Sequence, residues 1–289
     1  IADNSSFAGR VAPTFRPDRY IDPRDADFSA HVEKLVSYAG TSHDFAGYLS
    51  AREQRREFFV ERGAVSVDIG VEDPRTANLE PIEAARLFHE VTAGTVSESD
   101  AIAFRAHMVW QMARMSVDDG LVMTLHPGIR RNHSTTTFLD HGPDTGHDIP
   151  LRHSFTDELR PLLESFGLEK NLHLVLFTVD ETVYSRELAP LAGFYPSVFV
   201  GAPWWFLDAP DAMLRWRSAV TETAGFYRTS GFIDDTRAFL SIPSRHDVAR
   251  RADASFLARY VQEGRIPLPL AESIIDDLVG SIPKKVFKL

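Results

Sequence analysis

The residues with the most chemical potential lie in the last third of the chain. There Asp234-Asp235-Thr236-Arg237 follows the apolar stretch Gly231-Phe232-Ile233. In extended backbone, residues two apart face the same side. Asp235 and Arg237 are therefore expected to point into one pocket, a carboxylate able to ligate a metal beside a guanidinium able to fork onto an oxyanion. The plain alternative is a structural ion pair, a weak reason to set three charges after a buried strand. The same apolar-to-polar step recurs upstream. His126 ends the run Leu121-Val122-Met123-Thr124-Leu125 and precedes Pro127-Gly128. It is either a group contacting substrate or metal, or a hydrogen-bonded histidine in a capped turn. Arg16, in Thr14-Phe15-Arg16-Pro17-Asp18, suits bidentate carboxylate recognition, or it is a surface arginine paired with Asp18. Trp204 and Trp205 could wall a sugar site. Alternation makes it unfavourable for both to face the same way, so one of them is expected in the core. Two further patches read as scaffold. Arg130-Arg131-Asn132-His133 looks like a solvated face, and Gly142 to Asp148 looks like a turn built by Gly, Pro and Asp.

The elements that must position these groups alternate between short β-rich runs and helical patterns, which favours a parallel sheet or barrel. Strands are predicted at Gly9–Phe15, Ala64–Gly70, Leu121–Leu125, Asn171–Thr178, Ser197–Gly201 and Thr229–Ile233. Helices are predicted from about Asp27 to Tyr38, Asp44 to Arg62, Glu80 to Val91 and Ser99 to Asp118, with Ser97 and Asp100 resembling a capping box. Ile129 to His153 reads as a long polar connection, Thr156 as the cap of a helix reaching Gly167, and Asp247 to Val286 as helical and amphipathic. Each apolar run would supply stiffness, and its C-terminal tip a functional side chain. The chain reads as a single domain over residues 1–289.

The bulk composition narrows the function classes. With 44% hydrophobic and 25% charged residues, the chain has a globular composition. Its net charge of −10 argues against a nucleic-acid surface, which needs clustered cations, but leaves room for a small anionic substrate. It has no cysteine, which excludes disulfides and thiolate metal sites and is compatible with the cytoplasm. No apolar run approaches membrane-spanning length. The first residues lack the basic and apolar regions of a signal peptide, and the opening pattern suggests a chain that starts inside a longer gene product.

Taken in order, several segments resemble uronate (glucuronate) isomerase, a divergent branch of the amidohydrolase superfamily. They are Thr14 to Asp18, Leu125 to Gly128 with Arg131-Asn132-His133, Gly142 to Gly146, Trp204-Trp205-Phe206, Glu222 to Tyr227, and Asp234 to Pro243 with Arg245-His246-Asp247. The resemblance implies a (β/α)8 barrel, of which this chain would hold about strands three to eight and lack the first two. It implies aldose–ketose interconversion of D-glucuronate with D-fructuronate, and of D-galacturonate with D-tagaturonate. It also implies a divalent metal, usually zinc, held by a His-x-His pair that this chain does not contain and by an Asp that maps to Asp235. By the same mapping Arg237 lies beside substrate, Arg16 binds substrate, His126 is the strand-five histidine and Trp204 the pocket indole. Asp68-Ile69-Gly70 stands where family members often carry Asp-His-Gly. The expected partner is a small uronate, with homo-oligomerisation left open. Two other readings stand beside this one: a metal-dependent hydrolase of the same superfamily, and a fragment inactive for want of the His-x-His pair.

Overall fold

Seven short strands carry the scaffold of the computed structural model, which describes residues 9–236 and 238–289. They are β1 (Thr14–Phe15), β2 (Ser66–Val71), β3 (Val122–Pro127), β4 (Ile129–Arg130), β5 (Ile149–Pro150), β6 (Leu174–Leu176) and β7 (Val198–Val200). Five of them form one parallel sheet in the order β1-β2-β3-β6-β7. A parallel bridge from Val200 to Thr229 extends it by one more chain segment. Among the described residues no strand pairing joins β1 to that far edge. The register sets Asp68 beside Thr124 and Gly70 beside His126.

Helices connect the strands, as parallel pairing requires. The long ones run Phe45–Val60, Glu98–Asp119, Pro210–Ala224 and Ile242–Gln262. Their ends follow local chemistry. Asp44 caps the first by accepting from the Gly47 N–H, and Ser97 caps the second by accepting from the Asp100 N–H. Among the described residues, no helix is long and apolar enough to cross a membrane.

Strand alternation divides the sheet into two faces. Val67, Ile69, Met123, Leu125, Leu174, Leu176, Val198 and Val200 pack outward against helices through residues such as Met108, Met112, Leu162 and Trp216. The opposite face is apolar at the base, where Val122, Val175 and Phe199 meet Leu278, Ile282 and Val286 of the C-terminal helices Leu268–Val279 and Ser281–Val286. Past Ser66, which stands beside Val122, the same face turns polar through Asp68, Thr124 and His126. Buried arginines tie the outer layer together: Arg56 donates to Asp119 and Ser116, Arg105 to Asp73, and Arg217 to Asp253.

Several sequence expectations change here. The first strand shortens from Gly9–Phe15 to Thr14–Phe15, because Pro13 has no N–H to give a ladder. The expected sixth strand, Thr229–Ile233, reduces to the single bridge at Thr229. Gly231 takes φ +74° against Pro283 and Leu278, which turns the chain out of the sheet. Ile129 to His153 is no open connection: β4 and β5 pair as an antiparallel ribbon around the helix Thr135–His141. The next helix begins at Ser154, whose Oγ accepts from Asp157, while the Thr156 N–H is taken by the buried Glu187 carboxylate. The helical stretch predicted from Asp247 begins earlier, at Ile242, with Pro243 in its first turn.

One close contact links this scaffold to the polar tips. Just past β7, Gly201 lies flat on the Phe177 ring, and a Cβ there would come within 2.6 Å of it. Phe177 in turn stacks on His126. Gly201→Ala should therefore destabilise the fold by about 1–3 kcal/mol, read as a lower urea midpoint. An unchanged midpoint would show that the ring yields freely.

Candidate active site

The polar tips converge because β2 and β3 run in register and alternate together. Asp68 is the third residue of β2, so it shares a face with Ser66 and Gly70, and its neighbour across the ladder is Thr124. Thr124 Oγ1 donates to Asp68 Oδ1 at 2.6 Å, and His126 Nδ1 lies 2.8 Å from the same oxygen. From β1, Arg16 Nη1 reaches Asp68 Oδ2 at 3.1 Å while its Nε donates to Asp18 at 2.8 Å. Asp18 is itself fixed by the Gly70 N–H at 3.0 Å. One carboxylate thus gathers side chains from three adjacent strands.

The electrostatics follow from this geometry. Burial pushes the Asp68 carboxyl up, but hydrogen bonds from His126 and Thr124 and the charge of Arg16 outweigh it, leaving the group below its ordinary value. Burial likewise works against the Arg16 cation. The carboxylates of Asp18, Asp68 and Asp235 overcome that and hold it above its ordinary value. An ionised Asp68 can only accept, which favours a proton on His126 Nδ1 and leaves the Nε2 edge for a ligand. The imidazole is held flat against Phe177, with ring centres 4.3 Å apart, and edge-on to Trp204 at 4.9 Å.

Around this cluster lies a cavity of about 600 Å³ lined by Arg16, Asp68, His126, Arg130, Arg131, Trp204 and Asp235, among others. A second cavity of about 710 Å³ on the inner sheet face shares Arg16, Asp68, His126, Trp204 and Asp235. Of the sequence-predicted site residues, Arg16, His126, Trp204 and Asp235 are therefore brought together. Arg237, expected beside Asp235, lies outside the described residues. Arg16 meets both of its expectations at once, pairing with Asp18 and lining the pocket. Trp204 is the buried indole of its pair and still forms part of the cavity wall.

Asp234 and Asp235 divide their work. Asp235 is exposed on the cavity wall, whereas Asp234 is buried against Arg245, whose Nη1 lies 2.8 Å from Asp234 Oδ1 as a charge contact outside hydrogen-bond geometry. Arg245 also pairs with the buried Asp208. One guanidinium thereby clamps the segment carrying Trp204 to the segment carrying Asp235.

Sequence reasoning missed three parts of this site. The central part is Asp68, whose signal was a lone carboxylate in a β-rich run, at a spacing of two from Ser66 and Gly70. Arg245 was noted only as part of a segment carrying the family resemblance. Arg130 and Arg131 were read as a solvated face, yet both line the cavity. Arg131 lies over the Trp205 ring at 4.7 Å and pairs with Asp148 at 2.8 Å. Asp148 also accepts from the Asn132 N–H, so the Gly142 to Asp148 turn anchors this wall. Among the described residues, no group of three or more His, Asp or Glu is placed to hold a metal ion.

The chain and its fold have counterparts among known proteins. The family model described as glucuronate isomerase matches residues 1–287. A uronate isomerase of Brucella canis is 51% identical over 285 residues, covering 99% of this chain and 61% of that protein. The crystal structure of glucuronate isomerase from Caulobacter crescentus superposes with a TM-score of 0.93 at 49% identity, over 97% of this chain and 59% of the other. Uronate isomerase from Thermotoga maritima superposes with a TM-score of 0.90 at 28% identity, over 96% and 61%. The chain thus spans about three-fifths of the length of these relatives.

The depressed Asp68 carboxyl makes stability depend on acid in a defined direction. Its contribution is present above the ordinary carboxylate range, near pH 4, and is lost as pH falls through the lower folded value. Wild type should therefore be more stable than Asp68→Asn at about pH 6, and the gap should narrow towards about pH 3. Urea unfolding of both proteins at the two pH values measures this, and a gap of constant size would remove Asp68 as an ionised anchor.

Proposed function

The chain belongs to the glucuronate isomerase family, and from that premise we propose that it supplies the substrate-binding face of a uronate isomerase, interconverting D-glucuronate with D-fructuronate and D-galacturonate with D-tagaturonate. The observation that carries this reading is the Arg16–Asp68–His126 chain at the strand tips, opening on a cavity shared with Trp204 and Asp235. A uronate presents what such a site recognises: a carboxylate for an arginine, hydroxyls for Asp and His, and C–H faces for an indole. The alternative of a metal-dependent hydrolase has no support beyond the shared fold.

Isomerisation of an aldose to a ketose takes a proton from C2 and returns one to C1, while the O2 proton moves to O1. In this reading His126, oriented by Asp68, exchanges a proton with a substrate oxygen through Nε2. Arg16 holds a substrate oxyanion beside it. Arg237, two residues from Asp235, is proposed as the second cation reading substrate. Trp204 and Phe177 keep water from the imidazole faces. Asp235 accepts a hydroxyl proton, and it would be the carboxylate ligand of a bound metal.

A divalent metal, zinc by the family resemblance, would supply Lewis acidity to the reaction. Asp235 would give it one carboxylate, but the described residues by themselves do not make a complete centre. We take the 289 residues as a single domain, forming about strands three to eight of a (β/α)8 barrel. The parallel sheet with unjoined edges and the cavity along its inner face support that placement. A cytoplasmic location and a small-molecule partner complete the reading.

The test uses the gene product that contains this chain, assayed by proton NMR for conversion of D-glucuronate. A lost charge-assisted contact of about 1.5–3 kcal/mol corresponds to roughly a ten- to hundredfold fall in kcat/KM, which is expected for Arg16→Met. Asp235→Asn should lower both bound zinc and turnover. Wild-type zinc content and rate in Asp235→Asn would remove that residue from the ligand set, and unchanged kinetics in Arg16→Met would move carboxylate recognition elsewhere.

A further inference from the structure

Behind Arg16, on the helix side of β1, lies a separate cavity of about 170 Å³. Two arginines of the helix Phe45–Val60 open on it, Arg52 and Arg55, among the apolar groups of Phe15, Leu35 and Phe59. Their charges are handled quite unlike that of Arg56 on the same helix, which is neutralised by Asp119. Arg52 is 1% exposed. It donates through Nη1 to the Tyr20 carbonyl at 2.6 Å and the Tyr48 hydroxyl at 2.7 Å, and through Nη2 to the Met112 sulfur at 2.9 Å. Its Nε is buried without a hydrogen-bond partner. Arg55 lies over the rings of Phe58, Phe59 and Tyr38. Among the described residues, neither guanidinium has a carboxylate partner.

A buried guanidinium with an idle donor and no counter-charge is costly, and an anion would relieve it. The volume suits a short acid and is small beside the catalytic cavity. The mixed lining, the arginines Arg16, Arg52 and Arg55 with Phe15, Tyr20, Leu35 and Phe59, matches a carboxylate on a short hydrocarbon stem better than a wholly polar anion such as phosphate. We propose that this cavity is a carboxylate-binding site, distinct from the catalytic cavity and separated from it by Arg16, which lines both. A group of that kind is found in a free short-chain acid and in an Asp or Glu side chain of a polypeptide.

Thermal unfolding of the chain separates these sources. In one arm, propionate is titrated against chloride at fixed ionic strength. In the other, Leu35→Glu, which places a tethered carboxylate in the cavity, is compared with Leu35→Gln. A saturable rise in the midpoint with propionate, lost in Arg55→Met, supports the site with a free acid as occupant. Arg55 is half-buried, so this variant spares the core that Arg52→Met would disturb, and Arg55 does not line the catalytic cavity. A midpoint about 2–4 °C higher for Leu35→Glu than for Leu35→Gln, without a propionate response, supports the site with a side chain as occupant. If Leu35→Glu melts no higher than Leu35→Gln, and propionate acts equally on wild type and Arg55→Met or on neither, the proposal is overturned.

Discussion

An ionised carboxylate at the third residue of β2 holds the site together. Asp68 accepts from Thr124 and lies within ion-pair distance of both His126 and Arg16. Each contact restricts a different variable. Thr124 fixes the carboxylate plane, His126 has its tautomer and ring direction set, and Arg16 is drawn from the rim of β1 towards the imidazole. Without that negative charge, Arg16 would keep Asp18 and the charge of Asp235, and the imidazole its ring contacts. The remaining features are ways of keeping this carboxylate part-buried, ionised and correctly placed.

The sheet accomplishes that through its layering. Its outer face and the base of its inner face are apolar, so the strands are rigid where they enter the site. On the inner face the polar side chains come from β2 and β3, where Ser66, Asp68, Thr124 and His126 share one side of the ladder. The loops beyond the tips need their own restraints, and these are ionic. Arg245 joins Asp208 to Asp234, and Arg131 joins Asp148 beside Trp205. Breaking one partner of such a pair costs more than the pair itself contributes, because a charge is left behind unpaired. The ties therefore serve to fix position more than to add stability.

Much of this was legible in the sequence, for identifiable reasons. Apolar runs ending in polar residues located Arg16, His126, Trp204 and Asp235, since a strand tip imposes that step on its sequence. Helix boundaries followed caps such as Ser97 and Asp44. Asp68 was harder to read because its importance arises from register: nothing in Ser66 to Gly70 reveals that Thr124 and His126 stand opposite. Arg245 is separated from Asp208 by a whole helix, so their pairing is a tertiary fact with no local signature. The strand expected at Thr229 to Ile233 failed because Gly231 answers to Pro283, fifty-odd residues away in the chain, and periodicity cannot see such a neighbour.

The central claim is that Asp68 is ionised and sets the proton on His126 Nδ1. Nitrogen-15 NMR of the histidine rings reads this directly, with His126 assigned by comparison with His126→Gln. At neutral pH the neutral His126 ring is expected to carry its proton on Nδ1, and Asp68→Asn to remove that preference. A wild-type His126 protonated on Nε2 alone, or a tautomer unchanged in Asp68→Asn, would contradict it.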